Sequence, residues 1–162
     1  KAELSLSKFD KTYHDNYRNL FLKKIGMSRE VNGDLELLTD LLTSMTSFKA
    51  DFTQTFIELN PLNRDSTISS PLSFLNEWKV KWTNRLELEK DPFTVMSQTN
   101  PRFIPRNHLI EQAIQDAILG NYKLFNDLVL ASENPFKKSL ENEALYTSPG
   151  TDSLVSQTFC GT

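Results

Sequence analysis

Hydrophobic residues recur at intervals of three and four positions along most of this chain. Over residues 7–25 they fall on one side of a helix, and Gly26 follows in a position suited to a left-handed C-terminal residue. The same period predicts helices over residues 34–48, 49–59, 71–88, 109–118 and 122–130, and one short helical turn is expected over residues 92–97. No stretch shows the sustained alternation of a strand. The pattern therefore predicts an all-α fold, an irregular bundle of six or seven helices.

Two stretches interrupt this periodicity. Residues 60–71 are rich in Asn, Asp, Ser, Thr and Pro, and they are expected to form a loop. After Pro135 the hydrophobic period fades, so residues 137–162 are expected to be a mostly irregular tail. Between these features no interdomain linker is recognisable. The sequence thus predicts one helical domain with a single core over residues 1–136.

The densest local signal is NPRFIPRN, residues 100–107, directly before a predicted helix. Two prolines favour an extended entry, Asn107 is expected as the N-cap, and the planar guanidinium of Arg106 suits backbone carbonyls or a carboxylate. The preferred interpretation is a structural corner built by Asn100, Pro101, Arg106 and Asn107. The alternative is that the two arginines of this stretch hold an anion.

Several other side chains are expected to be structural. Trp78 and Trp82 share a helix face four residues apart, which favours a place in the core over a peptide-binding groove. Asp51 is expected to cap a helix or to form a surface ion pair. His14 is expected on the surface and His108 at a helix start, with no metal between them. No glycine-rich phosphate loop is present, so no cofactor is expected within this segment.

Charge and cysteine content narrow the class of protein. The chain of 162 residues carries 18 Lys and Arg against 21 Asp and Glu, a formal charge of -3, which disfavours nucleic-acid binding. No apolar run reaches the length of a membrane helix, so no membrane partner is expected.

Cys160 is the single cysteine, which excludes an internal disulfide framework and fits a reducing compartment. The start at Lys1, inside a helical pattern, suggests a segment of a longer protein.

A family resemblance covers most of the chain. NPRFIPRNHLIEQAI, residues 100–114, resembles a block near the C-terminus of the selenoprotein O family, with Asn-Pro, Arg-Asn and Ala-Ile at matching intervals. Other stretches are similar to family patterns in the same order. They are KKIGM at 23–27, DLELLTDLLTSM at 34–45, ADFTQTFIEL at 50–59, GNY at 120–122, NPF at 134–136 and TFCGT at 158–162.

The resemblance implies a parent protein with a protein-kinase-like fold that transfers AMP from ATP to Ser, Thr or Tyr hydroxyls of proteins, using Mg²⁺ or Mn²⁺. Residues 1–136 would be its helical C-terminal domain, packed on the kinase-like lobe, and no catalytic residue is expected here. The tail, residues 137–162, would carry Cys160 as a redox residue that pairs with a cysteine elsewhere in the parent. An inert tail thiol is the alternative.

A function of another class also fits the helical pattern. The chain could be a free-standing helical interaction module whose Trp78 and Trp82 face binds a partner helix. The two functions differ in what precedes residue 1, since only an adenylyltransferase needs a kinase-like lobe there. Bacterial cytoplasm is the expected compartment, and a mitochondrion is the alternative for a eukaryotic member of the family.

Overall fold

A computed structural model of the chain describes the backbone of residues 2–63 and 72–137 and the side chains of residues 8–62 and 72–137. Within these ranges the chain forms seven α-helices, two short 3-10 helices and no strand, which confirms the predicted all-α fold. The α-helices are α1 Ala2–Lys24, α2 Asp34–Ser47, α3 Phe52–Leu59, α4 Asn76–Leu86, α5 Pro92–Thr99, α6 Asn107–Ile118 and α7 Lys123–Glu133. The 3-10 helices are Pro61–Asn63 and Leu72–Leu75.

Gly26 ends α1 as the sequence predicted. Its φ is 87°, and the N–H of Met27 donates to the carbonyl of Leu22 at 2.9 Å, the pairing of a Schellman turn. A Cβ on Gly26 would lie 3.0 Å from Cβ of Pro92 and 3.2 Å from a methyl group of Leu86. Glycine is thus required twice, by the backbone angle and by the close approach of α4 and α5. The helix α6 ends in the same kind of turn at Gly120.

Asp51 starts α3 by capping it. Its carboxylate accepts a hydrogen bond from the backbone N–H of Gln54 at 2.8 Å, while its own φ and ψ are those of extended backbone. This satisfies one of the N–H groups that the first turn of a helix leaves without a partner. The capping role predicted for Asp51 is confirmed.

The chain divides into two compact units, residues 1–100 and residues 101–162. In the described part of the first unit, a cluster of fifteen buried apolar side chains forms the core, with members from α1, α2, α3, α4, α5 and the second 3-10 helix.

Trp78 and Trp82 belong to this core and stack with ring centroids 5.4 Å apart. Their indole N–H groups donate to the carbonyls of Leu37 at 2.7 Å and Ile25 at 2.8 Å. The tryptophans are therefore core residues, and the binding face proposed for a free-standing interaction module does not exist.

In the second unit α6 and α7 pack against each other over a much smaller buried cluster. Its fully buried apolar members among the described residues are Phe103, Ala113 and Leu128. The carbonyl of Pro135 accepts hydrogen bonds from the N–H groups of Arg102 at 2.7 Å and Phe103 at 3.0 Å. These two bonds tie the entry to α6 to the chain that leaves α7.

The sequence predicted one core for residues 1–136, whereas the described residues contain two separate apolar clusters, one in each unit. Periodicity identifies the apolar side of each helix but carries no information about which neighbour covers that side. The loop predicted over residues 60–71 begins as a 3-10 turn, and residues 64–71 lie outside the described ranges. The predicted irregular tail also lies outside them, apart from Lys137.

Candidate functional site

A buried ion cluster holds the connection between α1 and α2 in the first unit. Arg85 on α4 pairs with both carboxylate oxygens of Asp34, through Nε at 2.7 Å and Nη2 at 2.9 Å, and with Glu89 through Nη1 at 2.9 Å. Side-chain exposure is 10% for Arg85, 2% for Asp34 and 3% for Glu89. The Nη2 atom also donates to the carbonyl of Arg29 at 3.0 Å. Such planar, two-pronged pairing fixes geometry as well as charge.

The environment of Glu89 keeps this carboxylate ionised. Burial alone would raise the pKa of Glu89, but hydrogen bonds from the hydroxyl and the backbone N–H of Ser28, together with Arg85, outweigh it and lower the pKa. The hydrogen bond with Asp34 raises the pKa of Arg85 further above its ordinary value, against the opposing effect of burial. The charged cluster thus serves to hold the α1–α2 connection in place.

Asn100, the first residue of the predicted corner, belongs to the first unit. Its buried side-chain amide donates to the carbonyl of Lys24 at 2.8 Å, and its Oδ1 lies 3.3 Å from Nζ of the same lysine. The ammonium lies 5.6 Å from the ring centre of Phe52 and 5.2 Å from that of Phe56. Burial lowers the pKa of Lys24. Asn100 therefore joins the C-terminus of α5 to the C-terminus of α1.

Asn60 links the C-terminus of α3 to α5 in a similar way, through its side-chain amide. Its fully buried amide donates to the carbonyl of Phe93 at 2.9 Å and to the hydroxyl of Ser97 at 2.8 Å. Buried amides with satisfied donors specify one arrangement of the helices, because any shift leaves polar atoms without partners. Sequence reasoning did not single out Asn60, since its partners lie more than thirty positions away.

The other predicted corner residues, Pro101, Arg106 and Asn107, lie in the second unit. The prediction that Asn107 caps α6 is wrong, because the helix begins at Asn107 and Arg106 occupies the capping position without a side-chain capping bond. Arg106 has extended backbone angles, and its carbonyl accepts the first helical bond from the N–H of Ile110 at 3.0 Å. Asn107 is exposed. The arginine anion site remains a prediction.

An open apolar groove with a volume of about 780 Å³ lies between α6 and α7. We call it the α6–α7 groove. On α6, Ile110, Ile114 and Ile118 follow at intervals of four and form one wall. Apolar side chains predominate in its lining, which comprises Pro105, Ile110, Ala113, Ile114, Ala117, Ile118, Tyr122, Phe125, Leu128, Val129, Ser132 and Glu133. Glu133 is the charged residue of this lining and lies at the C-terminus of α7.

The sequence identified the apolar positions of α6 and α7 but not their exposure. Ile118 is 72% exposed, and Ile114 and Phe125 are also exposed, although the spacing that predicted their helices is the same as for core residues. An apolar face of this breadth, exposed to solvent, marks a site of contact with another molecule or another part of the chain. The groove is accordingly the candidate functional site.

The two histidines take no part in this groove, and the predicted redox residue, Cys160, lies outside the described residues. Within residues 2–63 and 72–137, no three His, Cys, Asp or Glu residues are grouped so that they could hold a metal ion. His14 is exposed on α1, as expected. Among the described helices, none combines the length and apolar character needed to cross a membrane.

Comparison with known proteins assigns the family. The family profile described as protein adenylyltransferase SelO matches residues 1–133, and the chain belongs to this family. The family resemblance predicted from the sequence is confirmed.

Individual relatives carry the name protein nucleotidyltransferase YdiU. The protein from Nitrobacter hamburgensis is 38% identical over 173 residues, which covers 99% of this chain and 34% of the relative. The one from Ruegeria sp. strain TM1040 is 40% identical and covers 91% of this chain and 31% of the relative. The one from Clostridium perfringens is 35% identical, with 99% and 34% covered. The chain thus spans about a third of the length of the curated relatives that it matches.

Proposed function

We propose that this chain is the C-terminal helical portion of a protein adenylyltransferase, which transfers AMP from ATP to Ser, Thr or Tyr hydroxyls of other proteins. The observation that carries the proposal is the family match over residues 1–133. In the reaction, the hydroxyl oxygen forms a bond to the α-phosphorus of ATP, pyrophosphate leaves, and the hydroxyl proton is released. The remaining part of the polypeptide supplies the kinase-like lobe, the ATP site and the Mg²⁺ or Mn²⁺ ligands.

Within that protein, the segment has a structural and regulatory role. Support comes from the buried polar side chains of the first unit, Arg85, Asn60 and Asn100, which hold helix ends and connections in fixed positions. Rigid support of this kind suits a segment that holds neighbouring parts of an active site in place. The relatives come from bacteria, which supports the proposal of a bacterial cytoplasmic enzyme.

Transfer of radioactive label from ATP tests this function directly. The complete reading frame is expressed and incubated with a protein mixture, Mg²⁺ or Mn²⁺, and ATP labelled either at the α- or at the γ-phosphate. Label from the α-position is expected on protein, with release of pyrophosphate, and label from the γ-position is expected to stay off protein. The 162-residue chain alone is expected to transfer neither label. Transfer of the γ-label, or activity of the short chain, would contradict the proposal.

The redox role of Cys160 is part of the same proposal. Oxidation of its thiol and a second cysteine thiol of the parent by a peroxide or a disulfide would form one disulfide and release two protons and two electrons to the oxidant. Mass spectrometry of the non-reduced parent protein is expected to show a peptide containing Cys160 linked to one from the kinase-like lobe. A thiol that stays free under mild oxidation, with activity unchanged by Cys160→Ser, would support the inert alternative.

A further inference from the structure

Within residues 101–137, the described part of the second unit, more large apolar side chains are exposed than buried. Its buried cluster has three members, whereas the walls of the α6–α7 groove alone leave Ile114, Ile118, Tyr122 and Phe125 exposed. An exposed apolar face next to so small a core resembles a core divided between two bodies, the kind of surface found at obligate interfaces. The groove therefore requires a partner that stays in place.

The shape and charge of the groove restrict which kinds of partner can bind in it. Its walls are formed by residues four apart on two packed helices, so a convex apolar ridge such as the side of a helix fits between them. Glu133 introduces an acidic group at the end where α7 terminates. A basic side chain at that end of the ridge would pair with this carboxylate.

We propose that the α6–α7 groove is the docking site for the part of the same polypeptide that precedes residue 1, which places an apolar ridge in it. This inference rests on the proposed function, because it takes the chain as part of a longer enzyme. The chain covers 34% of the relative from Nitrobacter hamburgensis, so about two thirds of that relative lies outside the matched region. That length is ample for a ridge, and a covalently linked ridge is present at a high effective concentration.

A second copy of the chain is a poorer occupant. The commonest homodimers bring the same surface patch of both subunits together about a two-fold axis. Two identical concave grooves would then face each other and leave a void between them, which good interfaces do not contain.

Thiol labelling of two adjacent residues tests the docking. Val129 lines the groove and is 43% exposed, while its neighbour Leu130 is 62% exposed and is not part of the lining. Val129→Cys and Leu130→Cys are each made in a Cys160→Ser background, both in the 162-residue chain and in the complete reading frame. Labelling by a small alkylating reagent is followed with time by mass spectrometry of the peptide that carries the introduced cysteine, so other cysteines do not interfere.

In the 162-residue chain both introduced thiols are expected to react readily. In the complete protein, labelling at Val129→Cys is expected to slow by about tenfold or more, while labelling at Leu130→Cys changes by less than about threefold, because reaction requires access to the thiolate. Ile118→Cys, on the opposite wall and 72% exposed, is expected to behave like Val129→Cys. These are small changes at exposed positions, so the helices are expected to remain folded.

Equal labelling of Val129→Cys in the short chain and the complete protein would overturn the proposal. Protection of Val129→Cys already present in the short chain would also overturn it. Protection that grows with protein concentration would mean that a second copy occupies the groove. Protection that is independent of concentration would mean that the chain covers its own groove. AMP transfer is measured separately on the complete protein without substitutions. If the groove is protected but the complete protein transfers no AMP, the docking proposal stands and the proposed function is rejected. If the complete protein transfers AMP but the groove thiol reacts freely, the proposed function stands and the docking proposal is rejected.

Discussion

The two compact units of this chain are built from similar helices but differ in how much of their apolar surface they bury. The described part of residues 1–100 encloses a cluster of fifteen buried apolar side chains, and its helix connections are held by polar groups such as Arg85 and Asn100. The described part of residues 101–162 encloses three buried apolar side chains and exposes the α6–α7 groove. The first unit therefore has a substantial core of its own, whereas the described part of the second unit has a small one.

The first unit also has an exposed apolar feature, a stripe of aromatic side chains on α1. On α1, Phe9, Tyr13 and Tyr17 are exposed at intervals of four, and the last ring lies 4.3 Å from the ring of Phe21. This stripe lies on one helix and extends from the core, so the helix α1 already has a buried anchor at its other end. The groove has two walls and little core beneath it. The need for a partner is therefore greater in the second unit.

The largest expected effect comes from breaking the ion cluster of the first unit. Arg85→Met leaves the carboxylates of Asp34 and Glu89 buried without their cation, and removal of one partner from a buried pair typically costs about 3–5 kcal/mol. Chemical denaturation of the 162-residue chain measures this loss, and amide hydrogen exchange locates it. Protection is expected to fall most in α1, α2 and α4. Lys81→Met, an exposed substitution on the same helix, is the control and should leave stability nearly unchanged.

A uniform loss of protection across both units after Arg85→Met would contradict the comparison, because it would mean that α6 and α7 depend on the first unit for their folding.

Asn100→Ala is expected to have the next largest effect. It removes the donor to the carbonyl of Lys24 and leaves that partly buried carbonyl without this bond, which is expected to cost about 1–3 kcal/mol. The midpoint of denaturation is expected to fall, with faster amide exchange at the C-terminal ends of α1 and α5. Asn126→Ala, at an exposed asparagine of α7, is the matched control. If both variants were equally stable, the buried amide would contribute nothing to the first unit.

Glu89→Gln tests the charge of the cluster and gives it a pH dependence. The variant keeps the shape but weakens the charged bonds to Arg85 and Ser28, and a loss of about 1–2 kcal/mol at neutral pH is expected. Because folding lowers the pKa of Glu89 from its ordinary value of 4.5, the stabilisation is present above pH 4.5 and is lost as pH falls through the lower folded value. The free energy of unfolding should thus fall less steeply with acid in Glu89→Gln than in the natural chain. Parallel acid titrations would contradict the role assigned to the carboxylate.

The smallest expected difference concerns the two helix starts. Asp51→Ala removes a capping bond in the first unit and is expected to cost about 0.5–2 kcal/mol. Asn107→Ala changes an exposed first helical residue in the second unit and is expected to alter stability by less than about 0.5 kcal/mol. Both are read from denaturation curves of the 162-residue chain. A larger loss for Asn107→Ala would restore the capping role that the sequence predicted.

Local chemistry in the sequence determined the helices and their ends. Spacings of three and four predicted six of the seven described α-helices, while α5 was expected only as one short turn. Gly26 and Gly120 marked the ends of α1 and α6, and Asp51 marked the start of α3. These features depend on residues within one or two turns of each other, so a linear pattern contains them. The order of motifs was enough to predict the family.

Only the tertiary structure decided which residues meet and which faces stay open. Arg85 pairs with Asp34 across 51 positions and Asn100 with Lys24 across 76, and no local pattern encodes such distances. The isoleucines of α6 repeat with the same period as the leucines of α2, yet Ile114 and Ile118 are exposed while Leu38 and Leu41 are buried. The hydrophobic period shows which residues share one face of a helix, whereas burial depends on whether another element covers that face.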